Sequence, residues 1–283
     1  MNGLVIKKIM AYGNLTRPAN NWITALSVFV GAMVCGKIEF WDKILFACVS
    51  AFFISAGGNV LNDFFDVEID RINKPSRPLP RGIISLKSAL VFSAILFFIG
   101  LALSFRINPP SPILASFACG LLIVYSYILK RALLWGNLVV SAVAALAFIY
   151  GGIATEDFRF SLIPAAFALL FHLGREILKD MEDIKGDSSV GASTLPIKLG
   201  VEFSVNICTL VFLFLMGLTT FPYFFHLFSL RYLLVAVFGV DIILIHVVWS
   251  MRHDHSSANL HRLSNILKID MLIGLLAILL GRL

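Results

Sequence analysis

Charge is scarce in this chain. Only 14% of its 283 residues are Asp, Glu, Lys or Arg, against 59% hydrophobic residues and a mean hydropathy of +0.89. That composition excludes an ordinary soluble domain and marks a membrane protein. Cysteine is equally sparse: Cys35, Cys48, Cys119 and Cys208 stand isolated in or beside apolar runs, without metal-ligand spacing, and read as inert packing residues. The segment from Met1 to Thr16 lacks the basic region, apolar stretch and small-residue cleavage site of a secretory signal, so no leader is expected to be removed. Alternation of polar and apolar residues over about ten positions is missing too, which excludes a transmembrane barrel.

Long uncharged runs fill the chain instead, among them residues 44–60, 91–103, 138–154 and 205–221. Several approach the roughly 20 residues that cross about 30 Å of hydrocarbon as a helix. Segmentation at charges, prolines and glycines predicts an all-α multi-pass membrane protein with nine transmembrane helices near 20–36, 44–62, 86–105, 112–129, 137–154, 161–178, 203–222, 230–249 and 265–281. The two polar loops that follow the second and sixth spans lie four spans apart. They suggest a single domain over 1–283 with a four-helix pseudo-repeat, 20–130 and 137–249, and an appended ninth helix, 265–281.

The net charge of +6 does not point to nucleic acid, because the basic residues are scattered among short loops. With nine spans, seventeen of the 23 Lys and Arg fall on the side of the N-terminus and six, Lys37, Lys43, Arg106, Arg159, Arg231 and Arg282, on the other. The excess of positive charge places the N-terminal side in the cytoplasm and the chain in the cell membrane.

Most acidic residues sit in the two cytoplasmic polar loops. The first cluster holds Asn59, Asn62, Asp63, Asp66 and Asp70, which a continuing helix gathers within an arc of about 100°. The second holds Glu176, Asp180, Asp183 and Asp187, within about 60° if the helix survives to Gly186. Carboxylates running out of an apolar span need a neutralising cation. Hard oxygen donors select magnesium, manganese or calcium over zinc, and sites with few carboxylates hold magnesium through a substrate's phosphate oxygens. The stiff basic segment after the first cluster, Lys74-Pro75-Ser76-Arg77-Pro78-Leu79-Pro80-Arg81, offers cations for such a phosphate. Lys130 and Lys198 lie in other loops of the same side.

These residues resemble the UbiA superfamily of intramembrane prenyltransferases. Asn62, Asp66 and Asp70 are similar to its NxxxDxxxD motif, Arg77-Pro78-Leu79-Pro80-Arg81-Gly82 to its basic continuation, and Asp183-x-x-x-Asp187 to its second motif. The resemblance implies nine helices around a central cavity, with a polar cap at its cytoplasmic end. There two magnesium ions, held by Asn62, Asp66, Asp70, Asp183 and Asp187, would bind an isoprenoid diphosphate. It assigns Lys74, Arg77, Arg81 and Lys130 to the diphosphate, and Asn59, Asp63, Arg175, Lys179, Asp180 and Lys198 to supporting roles. The segment from Arg175 to Asp187, followed by Ser193-Thr194-Leu195-Pro196, is most similar to archaeal digeranylgeranylglyceryl phosphate synthases. That similarity implies geranylgeranyl diphosphate as donor and 3-O-geranylgeranylglyceryl phosphate as acceptor, with no nucleic-acid partner; it leaves the oligomeric state open.

Aromatic, quinone-precursor, chlorophyllide and haem acceptors are the nearest alternatives. An aromatic acid would call for a cation deep in the spans to clamp its carboxylate, and haem for ligating residues that the sequence does not reveal. The pattern of alcohol phosphatidyltransferases is missing from both clusters, and a cation transporter would set its carboxylates near the bilayer midplane. The Phe residues and Tyr125, Tyr127 and Tyr150 are candidates to line a prenyl tunnel, His172 is a candidate base, and the segment from Gly186 to Gly200 is a candidate lid.

Overall fold

The computed structural model describes residues 2–36 and 39–282 and, of residues 2–5, the backbone alone; Met1, part of the segment read for a secretory signal, and Lys37, used in the orientation argument, lie outside the described residues. All regular secondary structure among the described residues is helical. In order, the elements are α1 (Asn2–Thr16), α2 (Pro18–Val34), α3 (Trp41–Phe65), α4 (Val67–Asn73), α5 (Leu86–Ser104), α6 (Pro110–Tyr127), α7 (Trp135–Ala154) and α8 (Leu162–Glu182). They continue as α9 (Ile184–Ser189), α10 (Leu195–Leu199), α11 (Val201–Phe224), α12 (Leu230–Val235), α13 (Ile242–His253) and α14 (Ser257–Arg282). A π-helical turn, Ala236–Asp241, joins α12 to α13.

Each predicted span overlaps one of these helices. Seven are long and apolar enough to cross a membrane: α3, α5, α6, α7, α11, the α12–α13 rod and α14. The protein is therefore a multi-pass membrane protein. The other two differ for visible reasons: α2 has 17 residues, and α8 carries Arg175, Glu176, Lys179, Asp180 and Glu182 in its last turns. Helix α8 packs against α7, α11 and α14, so its charged end faces protein.

Local signals set many of the boundaries. Pro18 and Pro110 open α2 and α6 at positions where a missing N–H costs nothing. Ser85 caps α5 by accepting the Ser88 N–H at 3.1 Å. The ninth span differs most from expectation: α14 begins at Ser257, because the polar stretch before residue 265 continues as helix against α8 instead of forming loop.

The loops segregate to two ends, as alternating spans require. At one end Lys43 pairs with Glu156 at 2.8 Å, Arg282 donates to the Val34 carbonyl at 3.0 Å, and Asn108 donates to the Ile153 carbonyl at 2.6 Å. At the other end Lys74 meets Asp183, and the Ser193 N–H donates to the Arg131 carbonyl. Helices α4, α9 and α10 gather there. The segment expected as a lid is built into α9 and α10, with the Ala192 N–H bonded to the Asp187 carbonyl at 3.0 Å.

A cavity of about 590 Å³ occupies the middle of the bundle. Six of the spans line it, α2, α3, α6, α7, α8 and α14, with the short helices α4 and α9 at its polar end, whereas α5, α11 and the α12–α13 rod pack behind them. Six of the nine predicted spans thus reach the cavity wall. Helices α2 and α7 meet without side chains between them. A Cβ on Gly31 would lie 2.1 Å from the Phe148 carbonyl oxygen, and one on Gly151 would lie 1.9 Å from that of Val28. Only glycine permits that approach.

Candidate active site

Both acidic motifs share one backbone device. The stripes expected to run along continuous helices are interrupted, the first at Asp66 (φ −91°, ψ 4°) and the second at Asp183 (φ −93°, ψ 6°). Each Asp closes a long helix and opens a short one, in a sparsely populated backbone region where active-site residues often sit. Four residues on, Asp70 and Asp187 are carried by α4 and α9, with their side chains buried. The breaks re-aim these carboxylates from the ends of the spans into the cavity, where Asp66, Asp70, Asp183 and Asp187 all stand.

Asn73 ties the two motifs together. Its amide donates to the Asp183 carbonyl at 3.0 Å and accepts the Gly186 N–H at 3.1 Å. A Cβ on Gly186 would fall 2.4 Å from that amide nitrogen, so a glycine between the two aspartates is a packing requirement.

Cations stand on the carboxylates. Lys130 pairs with Asp66, and Lys74 with Asp183 at 2.7 Å. Arg77 bridges Asp70 at 2.5 Å and Asp63 at 3.0 Å, and Arg17 pairs with Asp63. Burial opposes the charge on Lys130 and Arg17, but the neighbouring Asp66 and Asp63 more than offset it and raise both groups above their ordinary values. Burial also pushes the Asp70 carboxyl up, against the pull of Arg77. It takes Asp187 to about 6, with Lys130 opposing.

Among the described residues no three His, Cys, Asp or Glu side chains converge to hold a metal by themselves. The donor set nevertheless fits magnesium, which is bound through one or two carboxylates together with water and substrate phosphates. Asn62 donates its amide N–H to Asp66 at 2.8 Å, while its Oδ1 is buried with no hydrogen-bond partner. An oxygen acceptor left over beside a carboxylate suits a hard cation.

The expected site residues divide. Asn59, Asn62, Asp66, Asp70, Lys74, Arg77, Lys130, Arg175, Lys179, Asp180, Asp183 and Asp187 line the cavity. Asp63 lies behind it as the anchor of Arg17 and Arg77. Asn59 donates to the Thr16 carbonyl and to Asn21, and so fixes the backbone that presents Arg17. Arg81 and Lys198 are exposed and off the cavity wall, because the turns after Pro78 and α10 carry them outward. No Phe lines the cavity among the described residues; its aromatic faces are Tyr125 and Tyr150, while Tyr127 is exposed.

The sequence reading missed Arg17, Asn137 and Lys268. Arg17 directly precedes the Pro that opens α2, and its backbone is left-handed at φ 53°. Asn137 donates to Asp180 at 2.8 Å. Lys268 was counted only as a loop charge.

One cavity thus joins two paired-carboxylate motifs and a set of cations to an aliphatic interior lined by small residues such as Ala51, Ala115, Ala118, Ala144 and Ala147. The family model of the UbiA prenyltransferases matches residues 23–269. The chain belongs to the UbiA prenyltransferase family. It is therefore a prenyltransferase, and among its relatives are digeranylgeranylglyceryl phosphate synthases. The one from Methanosphaera stadtmanae is 35% identical over 272 residues, covering 96% of this chain and 99% of its own. The one from Sulfurisphaera tokodaii is 39% identical, covering 89% and 91%. A solved structure concerning digeranylgeranylglyceryl phosphate synthase in membranes superposes with a TM-score of 0.76 at 35% identity, covering 98% of this chain and 99% of that one. A UbiA homologue from Aeropyrum pernix K1, at 18% identity and a TM-score of 0.80 over 92% of this chain and 97% of its own, shares the UbiA fold.

Proposed function

We propose that this UbiA enzyme is a digeranylgeranylglyceryl phosphate synthase of the cell membrane. It would transfer the geranylgeranyl group of geranylgeranyl diphosphate to the free hydroxyl of 3-O-geranylgeranylglyceryl phosphate, forming the second ether bond of archaeal membrane lipids. The observation that carries this reading is the near end-to-end likeness, at 34–39% identity, to relatives of that name. The cavity supports it with a charged end for a diphosphate and an apolar body for a prenyl chain. The site end and the N-terminus face the cytoplasm in this reading.

Asn62, Asp66 and Asp70 would hold one magnesium ion, and Asp183 and Asp187 a second. Bound there, magnesium supplies charge neutralisation for the diphosphate. Lys74, Arg77 and Lys130 now stand on carboxylates; with donor present they would turn to its phosphate oxygens. The allylic C–O bond breaks with its electron pair on the departing diphosphate, which these cations stabilise more strongly than the bound donor. The acceptor hydroxyl oxygen forms the new C–O bond and releases its proton. Tyr125 and Tyr150 line the cavity interior, where ring faces favour a passing allylic cation.

The test combines purified protein in detergent, magnesium, labelled geranylgeranyl diphosphate and 3-O-geranylgeranylglyceryl phosphate, with label followed into a diether lipid. Transfer by the wild type and its loss in both Asp66→Ala and Asp183→Ala is the expected result. Folded wild-type protein that binds the donor and yields no diether would overturn the acceptor assignment and move it to an aromatic, quinone-precursor or tetrapyrrole substrate. Ion flux in proteoliposomes would argue instead for a transporter.

A further inference from the structure

The cations of the cavity are unevenly matched. Those near the two motifs, Arg17, Lys74, Arg77 and Lys130, are all engaged by Asp63, Asp66, Asp70 or Asp183. On the wall formed by α8 and α14 the cations are less fully engaged. Arg175 and Lys179 share the single carboxylate of Glu176, at 3.1 and 2.7 Å. Lys268 has no carboxylate partner among the described residues and donates to Asn265 at 3.1 Å. Arg175 reaches Ser264, one turn before Lys268 on α14, at 3.5 Å, and the three cations line the same cavity. The other carboxylates of this wall are engaged elsewhere, Glu182 by His261 and Asp180 by Asn137, so Glu176 is the one carboxylate paired with these three cations among the described residues.

Arg175 adds a second, independent sign of a ligand. Its side chain lines the cavity and is nine-tenths buried, yet its Nε finds no hydrogen-bond partner. A buried guanidinium N–H left unmade is costly, and in native proteins it marks a partner yet to arrive. Such a partner must be anionic and rich in acceptor oxygens. A phosphate monoester carries about −1.5 to −2 charge at neutral pH and three acceptor oxygens, enough to meet Lys268 and the open Nε of Arg175 together.

We propose that Arg175, Lys179 and Lys268 form a second anion site that seats the phosphate of the lipid acceptor, apart from the diphosphate end of the cavity. This rests on the acceptor assignment of the preceding section. The spacing suits it: along α8, Lys179 stands about 6 Å and Arg175 about 12 Å from Asp183. The acceptor carries its nucleophilic hydroxyl on the carbon adjacent to the phosphate-bearing one. Seating the phosphate on α8 and α14 therefore brings that hydroxyl within reach of the donor at the motif end. Phosphate at this wall also explains how the enzyme would tell its acceptor from an uncharged glycerol ether, since a buried cation set left without an anion rejects the analogue that lacks one.

Steady-state kinetics test the assignment with Lys268→Gln, Lys268→Arg and Arg175→Gln, on 3-O-geranylgeranylglyceryl phosphate and its phosphate-free counterpart, geranylgeranylglycerol. Lys268 is half-buried and needs no carboxylate, so Lys268→Gln keeps the fold, which size-exclusion in detergent verifies. The acceptor KM is expected to rise about tenfold or more in Lys268→Gln and Arg175→Gln, as befits a lost hydrogen bond to a charged group. The donor KM stays within about twofold, the preference for the phosphorylated acceptor collapses, and Lys268→Arg restores it. A Lys268→Gln enzyme that raises the donor KM instead, or keeps the full preference, would overturn the second site while leaving the proposed reaction intact. Absence of diether product from the wild type would overturn the reaction and this site with it.

Discussion

Arg77 is the most informative single perturbation in the site. It is the only ion-pair partner of Asp70 among the described residues, at 2.5 Å, and it shares Asp63 with Arg17. In Arg77→Met, Asp63 keeps a guanidinium and Asp70 loses its own. Removing one member of a buried pair costs about 3–5 kcal/mol when the other stays charged. The lower end applies, because the Arg77 side chain is 22% exposed. Asp70 has an escape, since burial already raises its carboxyl above the ordinary range with Arg77 opposing, and without Arg77 it rises further. A raised carboxyl keeps its stabilising proton at low pH and loses it as pH climbs, so stability falls with pH at up to about 1.4 kcal/mol per unit. The destabilisation of Arg77→Met should therefore be small at pH 5 and reach about 3 kcal/mol near pH 8. Unfolding in detergent without divalent metal measures it. Arg77→Met/Asp70→Asn should recover most of the loss, because the neutral amide needs no counter-charge. Equal destabilisation at both pH values, or a double variant no more stable than the single, would refute the reasoning.

Other consequences are equally direct. The Asp187 carboxyl lies near 6 in the folded protein against 3.8 as its ordinary value, so its contribution is full below pH 4 and disappears as pH rises through 6. It amounts to at most about 3 kcal/mol, and Asp187→Asn should flatten that part of the stability profile; identical wild-type and variant profiles would count against it. Gly151→Ala drives a Cβ into the Val28 carbonyl and should lower the unfolding midpoint markedly, by overpacking of about 1–3 kcal/mol or more, whereas Gly120→Ala, with open space at its Cβ, should leave it unchanged.

The helices were legible because membrane spans announce themselves as long uncharged runs, and the ligand residues because carboxylates spaced by four are rare in such a chain. What stayed hidden depends on tertiary contact. The breaks at Asp66 and Asp183 follow from how α4 and α9 dock through Asn73, a contact between residues 110 apart in sequence. Arg17 and Lys268 read as orientation charges until α2 and α14 are seen to border the cavity. The π-helical turn at Ala236–Asp241, packed on α14, has no counterpart in hydropathy. Conversely, Arg81 and Lys198 shared the composition of the true site cations and lacked only their direction.

The seam of Gly31 and Gly151 bears on how this scaffold can diversify. Where α2 crosses α7, the separation is set by the thickness of two backbones, and no substitution can narrow it further or widen it without parting the helices. On the cavity wall itself, α6 presents Leu114, Ala115, Ala118 and Leu122, whose sizes are free to vary. The seam is cast in main chain, whereas the bore beside it is written in side chains. A lineage adapting to a shorter or longer isoprenoid would then record that history on α6, and an engineer changing product length should begin there.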